Sequence, residues 1–201
     1  MLPQILDYSH FLLIDTATDL PIVAYRKWNV WECVLLQRGP ELSKTLLRQV
    51  SGWNIQKESE KNNSLQIVLG IGPGSYAGIR AGTTIAQALG FAWEVPVHRI
   101  SSLDWLLPAR EGEFIACIDA KAGGIYAQKR IFLEGKNLPR GDVLHYTHAD
   151  ALLCEIEEGT ALVAPVPLGG CERWEKIALD KKISFYHSFE PVQGVFTLFH
   201  I

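Results

Sequence analysis

A glycine-rich turn is the first feature of the sequence that could do chemistry. The segment Gly72-Pro-Gly-Ser-Tyr-Ala-Gly78 follows an apolar run and precedes a helical pattern. Glycines let backbone N–H groups approach an anion, and a helix N-terminus carries partial positive charge, so this order suits phosphate binding. The turn is neither a P-loop, since no lysine follows, nor a dinucleotide-binding GxGxxG motif. Phosphate binding and a tight structural turn both stay open.

Two aspartates each close an apolar run that is typical of a buried strand. The runs are Phe11-Leu-Leu-Ile-Asp15 and Phe114-Ile-Ala-Cys-Ile-Asp119, and each precedes small residues and another strand pattern. This is a weak internal repeat of two halves. A carboxylate pair, one from each half, would suit an ATPase, whereas two turn-capping aspartates explain the same pattern. The candidate nucleotide or turn motif comprises Asp15, Thr16, Gly72, Gly74, Ser75, Arg80 and Asp119.

The helix after the turn carries a stripe of small residues. Gly78, Gly82, Ala86 and Gly90 recur at every fourth position. A glycine inside a helix costs ~1 kcal/mol relative to alanine, so the stripe indicates close approach of another backbone. That backbone belongs either to the same fold or to another chain. The predicted partner surface comprises Leu42, Leu46, Val50, Gly78, Gly82, Ile85, Ala86 and Leu89.

Hydrophobic periodicity predicts the elements that position these residues. The first three strands follow in a row, which favours antiparallel pairing. A helix begins near Gly39-Pro-Glu41, and a second unit begins near Phe114. The predicted strands are 11–15, 22–28, 30–36, 65–71, 95–100, 114–119, 125–132 and 161–166. The predicted helices are 41–50, 79–91, one capped by Ser101-Ser102 and running to 107, and one entered through a capping box at 147–150.

Composition restricts the class of protein. The 201 residues carry a net charge of -3, so a nucleic-acid role would need a local basic patch or a basic partner. Four cysteines form no CxxC pair and are expected to be reduced thiols of a cytosolic protein. The N-terminus lacks a signal-peptide pattern, and the apolar run 65–71 is far shorter than the ~18 residues of a membrane span. A cytoplasmic protein without membrane contact is therefore expected.

Two motifs in order resemble the bacterial TsaB (YeaZ) family. They are Ile14-Asp-Thr-Ala-Thr18 and Gly72-Pro-Gly-Ser-Tyr-Ala-Gly-Ile-Arg80. Further matches follow at Val95-Pro-Val97, Ile100-Ser-Ser-Leu103 and Ile118-Asp-Ala-Lys-Ala-Gly123. The resemblance covers residues 11 to 132 and fades beyond them. The order of the motifs is specific, although no single piece is.

The resemblance implies an α/β, actin-like (ASKHA, ribonuclease H-like) fold with two lobes, 1–110 and a shorter 111–201. It implies a non-catalytic scaffold or activating subunit that binds the catalytic subunit TsaD through helices. The ATPase TsaE joins them, and the complex transfers a threonylcarbamoyl group to the tRNA adenosine beside the anticodon. The chain would meet tRNA only through the complex and form a homodimer when alone. No cofactor is expected on this chain, and ATP is expected to bind a partner subunit instead.

The residues agree with a non-catalytic role. The TsaD type carries a His-x-x-x-His metal pair on the helix that corresponds to 41–50, and no histidine is present there. Ala17 stands where sugar kinases of this fold have the glycine of their phosphate turn. The alternative is an actin-like, ATP-dependent phosphotransferase or hydrolase that uses Asp15 and Asp119. A metallopeptidase would need the missing histidine pair.

Three departures from the family pattern stand out. Tyr76-Ala77 replaces Phe-Thr, and Gly124 replaces the usual glutamate before the tyrosine motif. The C-terminal region is short and lacks the familiar tail strand.

Two further groups of residues could bind something. His145 and His148 lie near Asp150, which suggests either a metal site or a helix cap formed by Thr147. A basic cluster suggests either a solvated face or tRNA contact, and comprises Lys121, Lys129, Arg130, Lys136 and Arg140.

Overall fold

The chain forms two compact units, Met1–Ser101 and Ser102–Ile201. The computed structural model describes residues 10–27, 30–55, 65–121, 124–165 and 184–187. The predicted loop at 56–64 lies outside these residues. The lobe boundary predicted after residue 110 lies within the second unit.

A five-stranded sheet forms the centre of the first unit. Its strand order is β3-β2-β1-β4-β5, in which the first three strands pair antiparallel, as predicted, and the last two add in parallel. The strands are β1 (His10–Asp15), β2 (Ile22–Lys27), β3 (Val30–Leu35), β4 (Leu65–Gly70) and β5 (Val97–Ile100).

Two helices cover one face of this sheet. Alternate residues of β1, Leu12 and Ile14, point into a core cluster that the helices complete. The first helix, α1 (Leu42–Gly52), contributes residues spaced by one helical turn: Leu42, Leu46 and Val50. The second helix, α2 (Tyr76–Trp93), contributes Ile85 and Ala86. Both predicted helices are confirmed, each slightly longer than the sequence indicated.

The second unit contains a mixed sheet with the order β11-β10-β6-β7-β8, and β9 also pairs with β7. One short helix, α3 (Ala149–Glu155), packs on it through Leu152. The strands are β6 (Gly112–Lys121), β7 (Gly124–Leu133), β8 (Lys136–Pro139), β9 (Leu144–Tyr146), β10 (Ala161–Ala164) and β11 (Ser184–His187).

A buried polar network anchors the start of the second unit to its sheet. Arg130 on β7 is 1% exposed and forms a 2.8 Å ion pair with Asp104. Its Nε donates to Oδ1 of Asn137 at 2.7 Å, and the Asn137 amide donates to the backbone oxygens of Asp104 and Leu106. Burial lowers the pKa of Arg130, and Asp104 opposes that shift. Arg130 is therefore a core residue, which corrects its place in the predicted basic cluster.

One predicted helix is absent, and another forms without its predicted cap. Residues 102–105 form turns rather than a helix capped by Ser101 and Ser102. The N-cap of α3 is His148, without a side-chain cap, so Thr147 does not begin a capping box. After residues 147–150 the helix does form, as α3, whereas residues 102–105 remain turns. Among the described helices, none is long and apolar enough to cross a membrane.

Candidate functional site

The turn after β1 is held by its own aspartate. Asp15 is fully buried, and its Oδ1 accepts a 2.9 Å hydrogen bond from the backbone N–H of Ala17. Gly70 on the neighbouring strand provides the room, because a Cβ there would lie 2.1 Å from the other carboxylate oxygen of Asp15. The carboxylate thus fixes a turn inside the unit.

The glycine-rich turn docks onto this first turn. The Ser75 N–H donates a 2.7 Å hydrogen bond to the carbonyl oxygen of Ala17. Gly74 has a φ of +149°, and a Cβ there would lie 2.2 Å from the same oxygen. Only glycine fits at position 74, because both the backbone conformation and the space exclude a side chain.

The helix stripe packs on the same turn. Thr16 Oγ1 donates a 2.6 Å hydrogen bond to the carbonyl oxygen of Gly78. A Cβ at Gly78 would lie 1.9 Å from the backbone oxygen of Thr16, and one at Gly82 would lie 2.4 Å from Thr16 Oγ1. The close backbone approach that the glycines indicated is therefore an approach within the fold.

Several backbone donors near the glycine-rich turn are engaged by the chain itself. Ser75 caps α2, because its Oγ accepts from the Gly78 N–H at 3.3 Å. The Ile79 N–H donates to the Ser75 carbonyl oxygen at 2.8 Å. With the N–H groups of Ala17 and Ser75 also bonded, four backbone donors around the two turns are engaged. Such amides bind an anion when they are unengaged.

The residues predicted as a partner surface lie inside the first unit, which corrects their assignment. A side chain in the core offers no surface to another chain. Leu89 is half-buried and packs against the core cluster, while the other seven are buried: Leu42, Leu46, Val50, Gly78, Gly82, Ile85 and Ala86.

The exposed faces of the same helices carry large apolar side chains. On α2, Tyr76 is 73% and Phe91 is 88% exposed, and on α1, Leu47 is 43% exposed. Arg80, predicted in the nucleotide motif, is exposed on α2 with its guanidinium 5.5 Å from the centre of the Tyr76 ring. Phe91 and Leu47 were missed because the predictions followed the small and buried stripes. Helical periodicity places them off those stripes and could have revealed them.

The corresponding turn of the second unit, between β6 and β7, packs against a histidine side chain. Asp119 closes the buried part of β6 and is partly exposed. At Gly124, which replaces the usual glutamate, a Cβ would lie 3.1 Å from His145 Nε2. The His145 ring lies tilted against that of Tyr126, with 5.0 Å between the ring centres. His145 therefore occupies space beside position 124. Within the described residues, no group of three or more His, Cys, Asp or Glu side chains could hold a metal ion.

A tyrosine and a cysteine in the second unit have shifted pKa values. Burial, and then the 2.8 Å hydrogen bond to Glu155, raise the pKa of Tyr146 to about 12. Burial raises the pKa of the Cys117 thiol far above its usual range. Cys117 is thus an inert core thiol.

Comparison with known proteins identifies the family. The family model described as TsaD, tRNA N6-adenosine threonylcarbamoyltransferase, matches residues 49–149, which is half of the chain. The chain belongs to this family. It is 36% identical over 64 residues to the tRNA threonylcarbamoyladenosine biosynthesis protein TsaB of Bacillus subtilis. It is 37% identical over 122 residues to the protein of the same name in Haemophilus influenzae. The predicted resemblance to TsaB is confirmed.

These matches are partial. They cover 30% and 57% of this chain, and 28% and 51% of the relatives' own lengths. The chain thus spans about half, or less, of the curated relatives that it matches.

The fold is also found in solved structures. YeaZ from Pseudomonas aeruginosa superimposes with a TM-score of 0.68 at 18% identity, covering 96% of this chain and 91% of that one. A protein described as similar to peptidase YeaZ from the same organism has a TM-score of 0.61 at 20% identity, covering 78% and 74%. The predicted α/β, actin-like class of this TsaD-family chain is confirmed.

Proposed function

We propose that this chain is a non-catalytic subunit in the biosynthesis of threonylcarbamoyladenosine on tRNA and that it binds the catalytic subunit TsaD. TsaE joins that complex, and tRNA contacts this chain only indirectly, through the complex. In the absence of TsaD the chain forms a homodimer. The cytoplasm is the proposed location. The names of the TsaB relatives support the pathway, and the structure of the first unit supports the role.

Exposed apolar side chains on the two helices carry the proposal. A phenylalanine that is 88% exposed at the end of α2 leaves a large apolar area in water, which is a feature of interaction sites when it forms part of a patch. Tyr76, and Leu47 on α1, add to the apolar surface of the same two helices. Aromatic anchors of this kind dominate the binding energy of protein interfaces. The proposed contact surface therefore comprises the exposed sides of α1 and α2.

The closed turns of the first unit support the absence of catalysis. A phosphotransferase would need backbone donors and a carboxylate directed at a nucleotide. Here the Asp15 carboxylate accepts a hydrogen bond from the Ala17 N–H, and the Ser75 N–H donates one to the Ala17 carbonyl oxygen. The ATP-dependent alternative would have to break these contacts, so it is the weaker candidate. The prediction that the chain binds no cofactor stays a prediction.

Co-purification with TsaD from the same organism tests the contact surface. We expect the wild-type chain to retain TsaD and Phe91→Glu to lose it, because the substitution places a charge on the apolar face. Val143→Glu is the matched control, since Val143 is 41% exposed in the second unit. Gly82→Leu would be unsuitable, because its side chain would meet Thr16 and disturb the fold.

Two readouts separate the parts of the proposal. Circular dichroism must show that Phe91→Glu is folded, and threonylcarbamoyladenosine content must be measured in cells that depend on this chain. Loss of both TsaD and the modification in Phe91→Glu alone supports the proposal. Failure of the wild-type chain to bind TsaD would sink it. Nucleotide hydrolysis by the isolated wild-type chain that disappears in Asp15→Asn would favour the enzymatic alternative.

A further inference from the structure

The exposed sides of α1 and α2 carry positive charge only. The charged residues within the two helices are Lys44, Arg48 and Arg80, and neither helix contains an aspartate or a glutamate. All three side chains are exposed. The chain as a whole has a net charge of -3, so these helices differ in sign from the protein that carries them.

Two carboxylates lie just outside the helices. Glu41 precedes α1, and its Oε2 accepts a 2.8 Å hydrogen bond from Lys44 Nζ, so these two charges offset each other. Glu94 follows α2 as its C-cap. Arg48 and Arg80 form no ion pair in the described part of the chain. Two guanidinium groups are therefore available to a partner on these helices.

Arg80 lies between the two exposed aromatic residues of α2. Helical periodicity places five exposed residues along this side of the helix: Tyr76, Arg80, Thr84, Gln87 and Phe91. The Arg80 guanidinium lies 5.5 Å from the centre of the Tyr76 ring, a distance at which the ring attracts the cation. A guanidinium held over a ring keeps its N–H edge free, and that edge fits a carboxylate through two parallel hydrogen bonds.

A second copy of the chain matches this side of α2 poorly. A two-fold interface brings the same surface of both copies together. An antiparallel pairing that covers Tyr76 of one copy with Phe91 of the other places Arg80 opposite Gln87, so no carboxylate meets the guanidinium. The pairing also brings Arg48 and Arg80 of both copies into one interface, where like charges repel.

We propose that the exposed sides of α1 and α2 bind an acidic surface of TsaD in preference to a second copy of this chain. The inference rests on the proposed function and adds the chemistry of the partner: carboxylates that meet Arg80 and Arg48, beside apolar side chains that cover Phe91. The homodimer is then the weaker assembly. Salt affects the two assemblies in opposite directions, because it screens an attraction in one and a repulsion in the other.

The small number of cations favours a protein partner over tRNA. Nucleic-acid surfaces neutralise many phosphates, often about six to ten. The two helices supply three cations, and one of them is bonded to Glu41. Exposed Leu47 and Phe91 on the same helices suit a protein interface, which has an apolar centre and a polar rim.

The salt dependence of both assemblies tests the proposal. TsaD from the same organism is titrated into the fluorescein-labelled chain, and self-association of the chain is measured by sedimentation velocity, each at about 50 and about 300 mM NaCl. With rising salt we expect the dissociation constant of the TsaD complex to increase at least about fivefold. That of the homodimer should decrease by about two- to threefold.

Charge reversal assigns the effect to the helices. Arg80→Glu should weaken the TsaD complex at least about tenfold and strengthen the homodimer, because the new carboxylate attracts Arg48 of the second copy. Arg80→Lys keeps the charge without the planar fork and should cause a smaller loss of TsaD affinity. Arg110→Glu, the same change at an exposed arginine of the second unit, should behave as the wild type does. Both arginines are exposed, and circular dichroism checks that each variant is folded.

The outcomes distinguish this inference from the proposed function. Failure of the wild-type chain to bind TsaD would overturn both. TsaD binding that Phe91→Glu abolishes and Arg80→Glu leaves intact would overturn the inference alone. It is also overturned by equal losses in Arg110→Glu, by the same salt response in both assemblies, or by a homodimer that Arg80→Glu does not strengthen. Loss of tRNA binding in Arg80→Glu, with TsaD binding retained, would instead make these helices a nucleic-acid surface.

Discussion

The side chain of Thr16 donates a 2.6 Å hydrogen bond to the carbonyl oxygen of Gly78, 62 positions later in the chain. This bond joins the turn after β1 to the first turn of α2. It places the two most recognisable motifs of the sequence in contact. Their shared role in this structure is to hold a helix against a strand.

Gly78→Ala should destabilise the first unit. The new Cβ would lie 1.9 Å from the Thr16 carbonyl oxygen. Because the clash is between two backbone segments, neither can move aside as a flexible side chain would. We expect a loss of about 3 kcal/mol in the free energy of unfolding. Urea denaturation measures it.

Gly52→Ala is the matched control, because Gly52 is also helical and a Cβ added there would have nothing within 4 Å. It should gain about 0.5–1 kcal/mol from helix propensity. An unchanged midpoint for Gly78→Ala would contradict the tight approach.

Thr16→Val should cost about 1–2 kcal/mol, because it keeps the side-chain shape and removes the donor to the Gly78 carbonyl oxygen. Thr84→Val, on the exposed side of α2, should change stability by less than about 0.5 kcal/mol. Chemical denaturation of the pair compares them. Equal effects would mean that the buried bond contributes nothing specific.

Asp104→Ala should destabilise the second unit by about 3 kcal/mol, because it leaves the guanidinium of Arg130 buried without its ion-pair partner. Asp142→Ala removes the same charge from an exposed position and should be nearly neutral. Thermal unfolding of both variants measures the difference. A neutral Asp104→Ala would show that Arg130 relaxes to water.

Tyr146 should titrate late. Its neutral hydroxyl is favoured in the folded state by burial and by donation to Glu155, which raises its pKa to about 12 from 10.0. The resulting stability is present below pH 10 and is lost as the pH rises through about 12. Glu155→Gln should move the absorbance titration of this residue to lower pH. Tyr146→Phe identifies its signal, and an unchanged titration in Glu155→Gln would exclude the carboxylate as a cause.

Much of the fold follows from local pattern. Apolar runs placed β1, β4 and β6 within a few residues of their observed bounds, because buried strands carry their hydrophobicity continuously. The more exposed β2, β3 and β7 were placed by their β-branched and aromatic residues. The short β8 and β9 were not predicted, since their residues are mostly exposed and their pairing with β7 is set by the neighbouring strand.

The sequence by itself determined the family, through two motifs in order, and it indicated that the glycines of α2 face another backbone. Only the tertiary structure decided which backbone. Gly78 and Gly82 pack on the turn that contains Thr16, so the residues predicted to contact a partner lie mostly in the core. The exposed Phe91 is instead the apolar residue that a partner could contact. The physical reason is that helical spacing defines faces, whereas the face that meets the sheet depends on how distant segments pack together.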